Sequence, residues 1–321
     1  VQRMAILSTG FMLGSMIAYI YARQFFHQRY AAVALLILAT LFFLLAVFSK
    51  ENAVVLVPIV LLMEMLWFQF KDSDGRIFTG LRSFSLYSVL LGTVLAIGVF
   101  LLAFDWLQSG FDSRPYSMGE RLLTESRILW DYVRQLFAPE VLRMGIIHDD
   151  VEISRNLFEP QSTLLAVLGW SLVIALSLLS LMSYWGRLVV FGISWYLVGH
   201  SVESTVVPLE LYFEHRNYFT GMGLFLVLGV MVAYLVSRWQ ETMAPITVFL
   251  LFYALWLGFH ASSQVQVWSN RPLLVLNNVN AHPLSYRANV DMALLMAEMG
   301  EVDAAQRYSR IAFENGSGEY R

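Results

Sequence analysis

Cysteine is absent from this 321-residue sequence, which excludes disulfides, thiolate metal centres and cysteine nucleophiles and leaves the redox compartment open. Charge is the second scarcity. Only 14% of residues are charged and the net charge is −3. With no Lys/Arg cluster, that balance points to neither nucleic acid nor an acidic partner. What is present is apolar: 58% of residues are hydrophobic and the mean hydropathy is +0.60, outside the usual balance of soluble domains. The chain opens Val1-Gln2-Arg3 without Met and without a signal-like segment, so the natural N-terminus is expected upstream, with further helices.

Stretches free of Asp, Glu, Lys and Arg run through 30–49, 83–104, 161–186, 217–237 and 242–270. Each is long enough to cross roughly 30 Å of hydrocarbon as a helix. Shorter or interrupted candidates lie at 4–22, at 52–70 with Glu64 near one end, and at 188–202. The expectation is an all-α, polytopic bundle of about eight crossings. If they alternate, the connections at 23–29, 71–82, 184–187 and 238–242 share one side and carry Arg23, Arg29, Lys71, Arg76, Arg82, Arg187 and Arg238, against Lys50 and Arg216 opposite. That bias places the first set in the cytoplasm. The loop 105–160, the 200–218 segment and the C-terminal tail then face out.

In that loop, 119–137 places Leu122, Leu123, Leu129, Trp130, Val133, Leu136 and Phe137 on one stripe and Glu120, Thr124, Arg127, Asp131 and Arg134 on the opposite one. This predicts a helix lying in the membrane interface, ended by Pro139. A polar run follows, and its His148-Asp149-Asp150 spacing permits a divalent-metal site for Mg or Mn, with a solvated acidic loop as the alternative. From 285 the sequence predicts two short helices, 285–299 and 302–314, joined at Gly300. Leu294, Leu295, Met299, Ala304, Ala305, Tyr308 and Ala312 occupy tetratricopeptide-like packing positions, and one such repeat needs further repeats or a partner to bury its face.

Charges at membrane depth cost on the order of 2.5–3.5 kcal/mol each on insertion scales, so they mark sites or pairs. Three clusters qualify: Gln2-Arg3, the Ser49-Lys50-Glu51-Asn52 turn, and a run from His200 and Glu203 through Glu210 to Glu214-His215-Arg216-Asn217-Tyr218. The last holds three carboxylates, two histidines and an arginine within seventeen residues. It suits a polar pocket, or a structural ion-pair network holding a re-entrant segment.

The segments VQRMAILSTGFMLGSMIAYIYAR, SKENAVVLVPIVLLME, RLLTESRILWDYVRQLFAP and VPLELYFEHRNYFTGMG, followed by the tail hairpin, resemble in this order bacterial relatives of the tetratricopeptide-containing transmembrane O-mannosyltransferases, glycosyltransferases of GT-C fold. The resemblance covers nearly the whole chain. It implies a transmembrane GT-C-like domain over 1–260, a periplasmic connector over 261–284 and the start of a helical repeat over 285–321. It implies a protein of the bacterial inner membrane, tail in the periplasm, that moves a sugar from a polyprenyl-phosphate carrier to a protein or glycan acceptor. Arg3, Lys50, Glu51, Glu203, Glu214, His215, Arg216 and Tyr218 would then bind donor phosphate or sugar, and Arg121, Arg127 and Arg134 would guide lipid or acceptor. The family's catalytic aspartate is expected upstream of Val1. Two departures bear on donor preference: His215 separates Glu214 from Arg216, and Thr220-Gly221 replaces the usual Pro-Ser.

Transfer from a lipid phosphate needs a base for the acceptor hydroxyl and positive charge for the departing phosphate. Arginine suits the second role because its planar fork binds phosphate oxygens bidentately. The competing readings are an O-antigen ligase or polymerase type of oligosaccharide transferase, and a non-catalytic membrane scaffold presenting repeats. A transporter fits less well, because the charges gather at one face and no inverted repeat is evident.

Overall fold

The computed structural model describes residues 2–71 and 75–316. Val1, residues 72–74 and residues 317–321, the last part of the expected repeat, lie outside the described residues. The helices are α1 (Gln2–Gln24), α2 (Arg29–Ser49), α3 (Leu56–Met63), α4 (Thr79–Leu102), α5 (Phe104–Ser109), α6 (Met118–Phe137), α7 (Gln161–Leu179), α8 (Tyr184–Gly199), α9 (Asn217–Arg238), α10 (Met243–Ser269), α11 (Arg271–Ala281), α12 (Tyr286–Glu298) and α13 (Val302–Asn315). Among the described residues there is no strand, only two isolated bridges. Seven helical segments are long and apolar enough to cross a membrane. The eighth candidate, 188–202, lies mostly in α8, whose 16 residues reach roughly 24 Å, short of the hydrocarbon thickness.

The chain divides into two compact units. The first comprises 1–107, 170–207 and 214–234; the second comprises 108–169, 208–213 and 235–321. In the first, α1 and α2 form a close pair because small residues recur along the seam. Ala32, Ala39 and Ala46 of α2 are buried at seven-residue spacing, and Ser8 and Ser15 of α1 donate to the carbonyls of Ala46 (3.1 Å) and Ala39 (2.8 Å). Small side chains and interhelical hydrogen bonds drive such contacts where lipid removes the hydrophobic incentive. The crossing of α8 and α9 is closer still: a Cβ on Gly192 would lie 2.5 Å from the Gly223 carbonyl oxygen.

The 52–70 segment is interrupted. A 3-10 turn over Glu51–Val55 precedes α3, and a π-helical turn over Glu64–Phe68 follows it. That turn gives way to left-handed Gln69 and Phe70, at φ 53° and 57°. Glu64 opens this turn, only 1% exposed and held by Tyr19 and Arg23.

In the second unit, α6 starts with a reciprocal capping box. The Ser117 hydroxyl accepts from the Glu120 N–H and the Glu120 carboxylate accepts from the Ser117 N–H. The amphipathic helix is present, and both of its stripes are partly covered: apart from buried Thr124 and exposed Leu122 their residues are half-buried, while Arg121, Glu125 and Gln135 are buried beside Ile128 and Tyr132. The buried side chains have partners. Arg121 pairs with Glu125 at 3.0 Å and donates to the Leu209 carbonyl, and Tyr132 both donates to the Phe213 carbonyl and accepts from its N–H. The tail helices α12 and α13 meet in a Schellman turn, with Gly300 at φ +81°, Glu301 N–H bonding Met296 O and Gly300 N–H bonding Ala297 O. Leu295 and Ala312 are buried there, while Leu294 and Met299 are exposed.

Candidate functional site

In the first unit, α2 ends at Lys50 in extended backbone, which frees its side chain from the helix. The Lys50 ammonium meets Glu203 Oε1 at 2.6 Å and the Asn52 amide donates to Glu203 Oε2 at 2.8 Å. Lys50, Asn52, His215, Arg216 and Tyr218 share a cavity lined also by Ser8, Thr9 and Thr220, with a volume of about 20 Å³. That is room for a single water, not for a phosphate group. Arg216 is buried. The His200 ring, also buried, contacts the hydroxyls of Thr220 at 3.0 Å and Ser204 at 3.4 Å.

The expected constellation is therefore assembled in part. Lys50, His215, Arg216 and Tyr218 converge, with Glu203 tied to them through Lys50. Arg3 and Glu51 are exposed, Glu214 is half-buried, and none of these three lines the cavity. Each has a local reason: Arg3 sits in the first turn of α1, Glu51 opens the 3-10 turn, and Glu214 begins another one.

A larger space lies in the second unit. Its volume is about 790 Å³, and α6 supplies one wall through Arg127, Trp130, Asp131, Arg134 and Gln135. The start of α7 contributes Leu165, Ala166 and Gly169, and the remainder includes Arg143, His148, Asp150, Glu152, Tyr212 and His282. Its lining mixes apolar and ionic side chains. The Trp130 indole donates to the Ala166 carbonyl at 3.1 Å. A Cβ on Gly169 would come within 3.0 Å of that ring, so only glycine fits there without displacement.

The charged part of the lining is balanced, with three arginines against three carboxylates. Arg134 pairs with Asp131 at 2.7 Å, and Arg127 reaches Glu152 at 3.3 Å. Arg143 lies 3.5 Å from Glu140, and its side chain is 55% exposed. Tyr212 donates to Asp131 Oδ2 at 2.7 Å, so Asp131 is held from two directions. Asp150 meets His282 Nδ1 at 2.7 Å, and the His148 ring stands edge-on to His282 with centroids 4.4 Å apart. Ordered helices anchor the loop: Tyr253 and Gln264 of α10 donate to the carbonyls of Phe137 and Val141, and Asn277 of α11 to that of Met144.

The side chains of the His148-Asp149-Asp150 run have separate protein partners. Asp149 accepts from the Arg287 N–H, Asp150 is occupied by His282, and His148 Nε2 bonds the Gly145 carbonyl. Among the described residues no group of three or more His, Asp or Glu side chains is placed to hold a metal. Of the three arginines assigned to guidance, Arg127 and Arg134 line the large cavity, whereas Arg121 is fully buried and does not line it. The sequence reading passed over His282 and Tyr212. The first sits in what reads as a connector, and the second hides in an apolar run whose flanking charges draw attention.

Protein-family models, curated proteins and solved structures yield no match to this chain. The helices and their apolar lengths define an all-α, multi-span membrane protein.

Proposed function

We propose that this protein is a membrane glycosyltransferase that takes a sugar from a polyprenyl-phosphate carrier and hands it to an acceptor hydroxyl, with the large cavity of the second unit as the donor site. The observation that carries this is the cavity's lining, which combines apolar side chains with arginines and carboxylates. Trp130, Leu165 and Ala166 at the head of an apolar span suit an isoprenoid, while Arg127, Arg134 and Arg143 beside Asp131 and Asp150 suit a phosphate and sugar hydroxyls. Arginine forks are the usual solution for phosphate, and a volume of about 790 Å³ is within the range of ligand sites. This shifts the phosphate from Lys50 and Arg216, whose cavity is too small, to the arginines of α6. The collinear motifs resembling the O-mannosyltransferase relatives support the same chemistry. The finer reading has a GT-C-like bundle in the bacterial inner membrane, with the loop and the tail hairpin, the first of a tetratricopeptide-like array, on the periplasmic side, the arrangement the Lys/Arg bias gives when 188–202 counts as an eighth crossing despite its shortness.

Binding of geranylgeranyl phosphate to the detergent-purified chain, read by native mass spectrometry, tests the proposal. Arg134→Ala and Arg127→Ala should each weaken binding about 10- to 100-fold, the loss of a charge-assisted hydrogen bond of about 1.5–3 kcal/mol. Unchanged affinity in both variants counts against it. The scaffold reading has its own support: the Lys50–Glu203–Asn52 network closes on a water-sized space, with Arg3 and Glu51 outside it. Absence of any saturable lipid-phosphate binding would favour that reading.

A further inference from the structure

We infer that the Glu140 carboxylate stands in for the donor phosphate, bridging Arg134 and Arg143, and that a lipid phosphate binds by displacing it from between them; this deepens the donor-site reading above and rests on it. The two oxygens of Glu140 face different arginines. Oε1 accepts from Arg134 Nη1 at 2.5 Å, and Oε2 lies 3.5 Å from Arg143 Nη1. Both arginines line the large cavity, whereas Glu140 does not. A carboxylate and a phosphate offer a guanidinium the same paired anionic oxygens, so the two arginines that share Glu140 are placed to share a phosphate.

The surroundings are set for this exchange. Asp131 takes the Nε and Nη2 side of Arg134, at 3.2 and 2.7 Å, and Tyr212 holds the other Asp131 oxygen at 2.7 Å. Arg134 thus turns its Nη1 edge to Glu140. The backbone beside it is pinned: Tyr253 donates to the Phe137 carbonyl, Gln264 to that of Val141, and the Glu140 N–H to Gln135 Oε1 at 3.0 Å. Only the Glu140 side chain, 47% exposed, has to swing away. Ion pairs exposed to that degree are weak and exchange at little cost. The charges match as well, because a sugar-bearing lipid phosphate is a phosphodiester with one negative charge, the same as the carboxylate it replaces. The exchange makes and breaks no covalent bond.

The test uses the full chain in nanodiscs with geranylgeranyl phosphate as the probe and geranylgeraniol as its uncharged control. Carbodiimide coupling of glycine ethyl ester, mapped by mass spectrometry, reads how accessible Glu140 is; it is the one carboxylate side chain in the tryptic peptide 135–143. Saturating geranylgeranyl phosphate should raise its labelling about twofold, from a side chain 47% exposed to one released into solvent, and geranylgeraniol should leave it unchanged. Glu140→Gln should tighten binding about 3- to 10-fold, the scale of exposed ion pairs no longer competing. Arg143→Ala should weaken binding about 10-fold or more by removing a charge-assisted contact, and in that background Glu140→Gln should gain less, because the two side chains are coupled. Labelling that the phosphate does not raise, or a Glu140→Gln affinity equal to or below that of wild type, overturns the displacement and leaves the donor site standing. No saturable binding in wild type and in Glu140→Gln alike overturns both.

Discussion

Replacing Glu64 by Ala should be among the most damaging single changes in the first unit. Glu64 and Arg23 meet at 2.6 Å with side chains 1% and 4% exposed. Glu64 also accepts from Tyr19 at 2.7 Å, while Arg23 donates to the Lys71 carbonyl at 2.8 Å and lies over the Phe68 ring at 5.1 Å. Removing one member of a buried pair strands the other charge and costs about 3–5 kcal/mol. Here the Tyr19 hydroxyl is stranded too, adding about 1 kcal/mol or more, so the upper end of the range is expected. That is a large share of the roughly 5–15 kcal/mol that holds a typical domain together. The double variant Arg23→Met, Glu64→Leu should fall within about 2 kcal/mol of wild type, because apolar replacements of similar volume remove the desolvation burden as well as the attraction. In the intact pair, moreover, Arg23 Nη1 and Glu64 Oε2 have no hydrogen-bond partners among the described residues. Unfolding of both singles and the double, followed by circular dichroism in mixed micelles titrated with denaturing detergent, closes a double-mutant cycle. Additive losses in the double variant would show that the two side chains do not act as a unit and would refute the reasoning.

Gly223→Val should destabilise the α8–α9 crossing by about 1–3 kcal/mol or more, because its Cβ would fall on the Gly192 carbonyl oxygen; a denaturation midpoint equal to wild type contradicts this close approach. Ser117→Ala should cost about 0.5–2 kcal/mol by removing the α6 cap. The Ser117 N–H holds the Glu120 carboxyl below its usual range, so its contribution is full above the unfolded carboxylate pKa and fades as pH falls through the lower folded value. Acid titration of wild type should therefore show a loss that Glu120→Gln lacks. Glu203→Gln should loosen the Lys50 turn, seen as faster tryptic cleavage after Lys50, while geranylgeranyl phosphate affinity stays within threefold; a large loss of affinity would return the phosphate to the Lys50 and Arg216 cavity.

The membrane class was legible because bilayer-spanning helices write themselves as long charge-free runs, and seven such helices are present. The Gly300 junction was legible for a similar reason, since a Schellman turn needs a residue that tolerates positive φ. Pairing across the chain was not. Glu64 and Arg23 are 41 residues apart, and nothing local tells a carboxylate near the end of a span that its partner is an arginine which otherwise counts toward a cytoplasmic loop. The neighbours of α6 were not legible, because periodicity separates two stripes without saying which element each will meet. The Tyr132 contacts to Phe213 and the Arg121 contact to Leu209 come from residues about eighty positions away. His282 escaped notice for the same reason, its partner Asp150 being 132 residues distant.

The donor site is tested most directly by a photoreactive polyprenyl phosphate, a diazirine on an isoprenoid chain, irradiated with the purified protein and mapped by peptide mass spectrometry. The account predicts saturable labelling confined to peptides that contain Trp130, Leu165 or Ala166, abolished by excess geranylgeranyl phosphate and strongly reduced in Arg134→Ala. Labelling concentrated on peptides that contain Lys50 or His215 to Tyr218, or labelling that competitor does not displace, would contradict it.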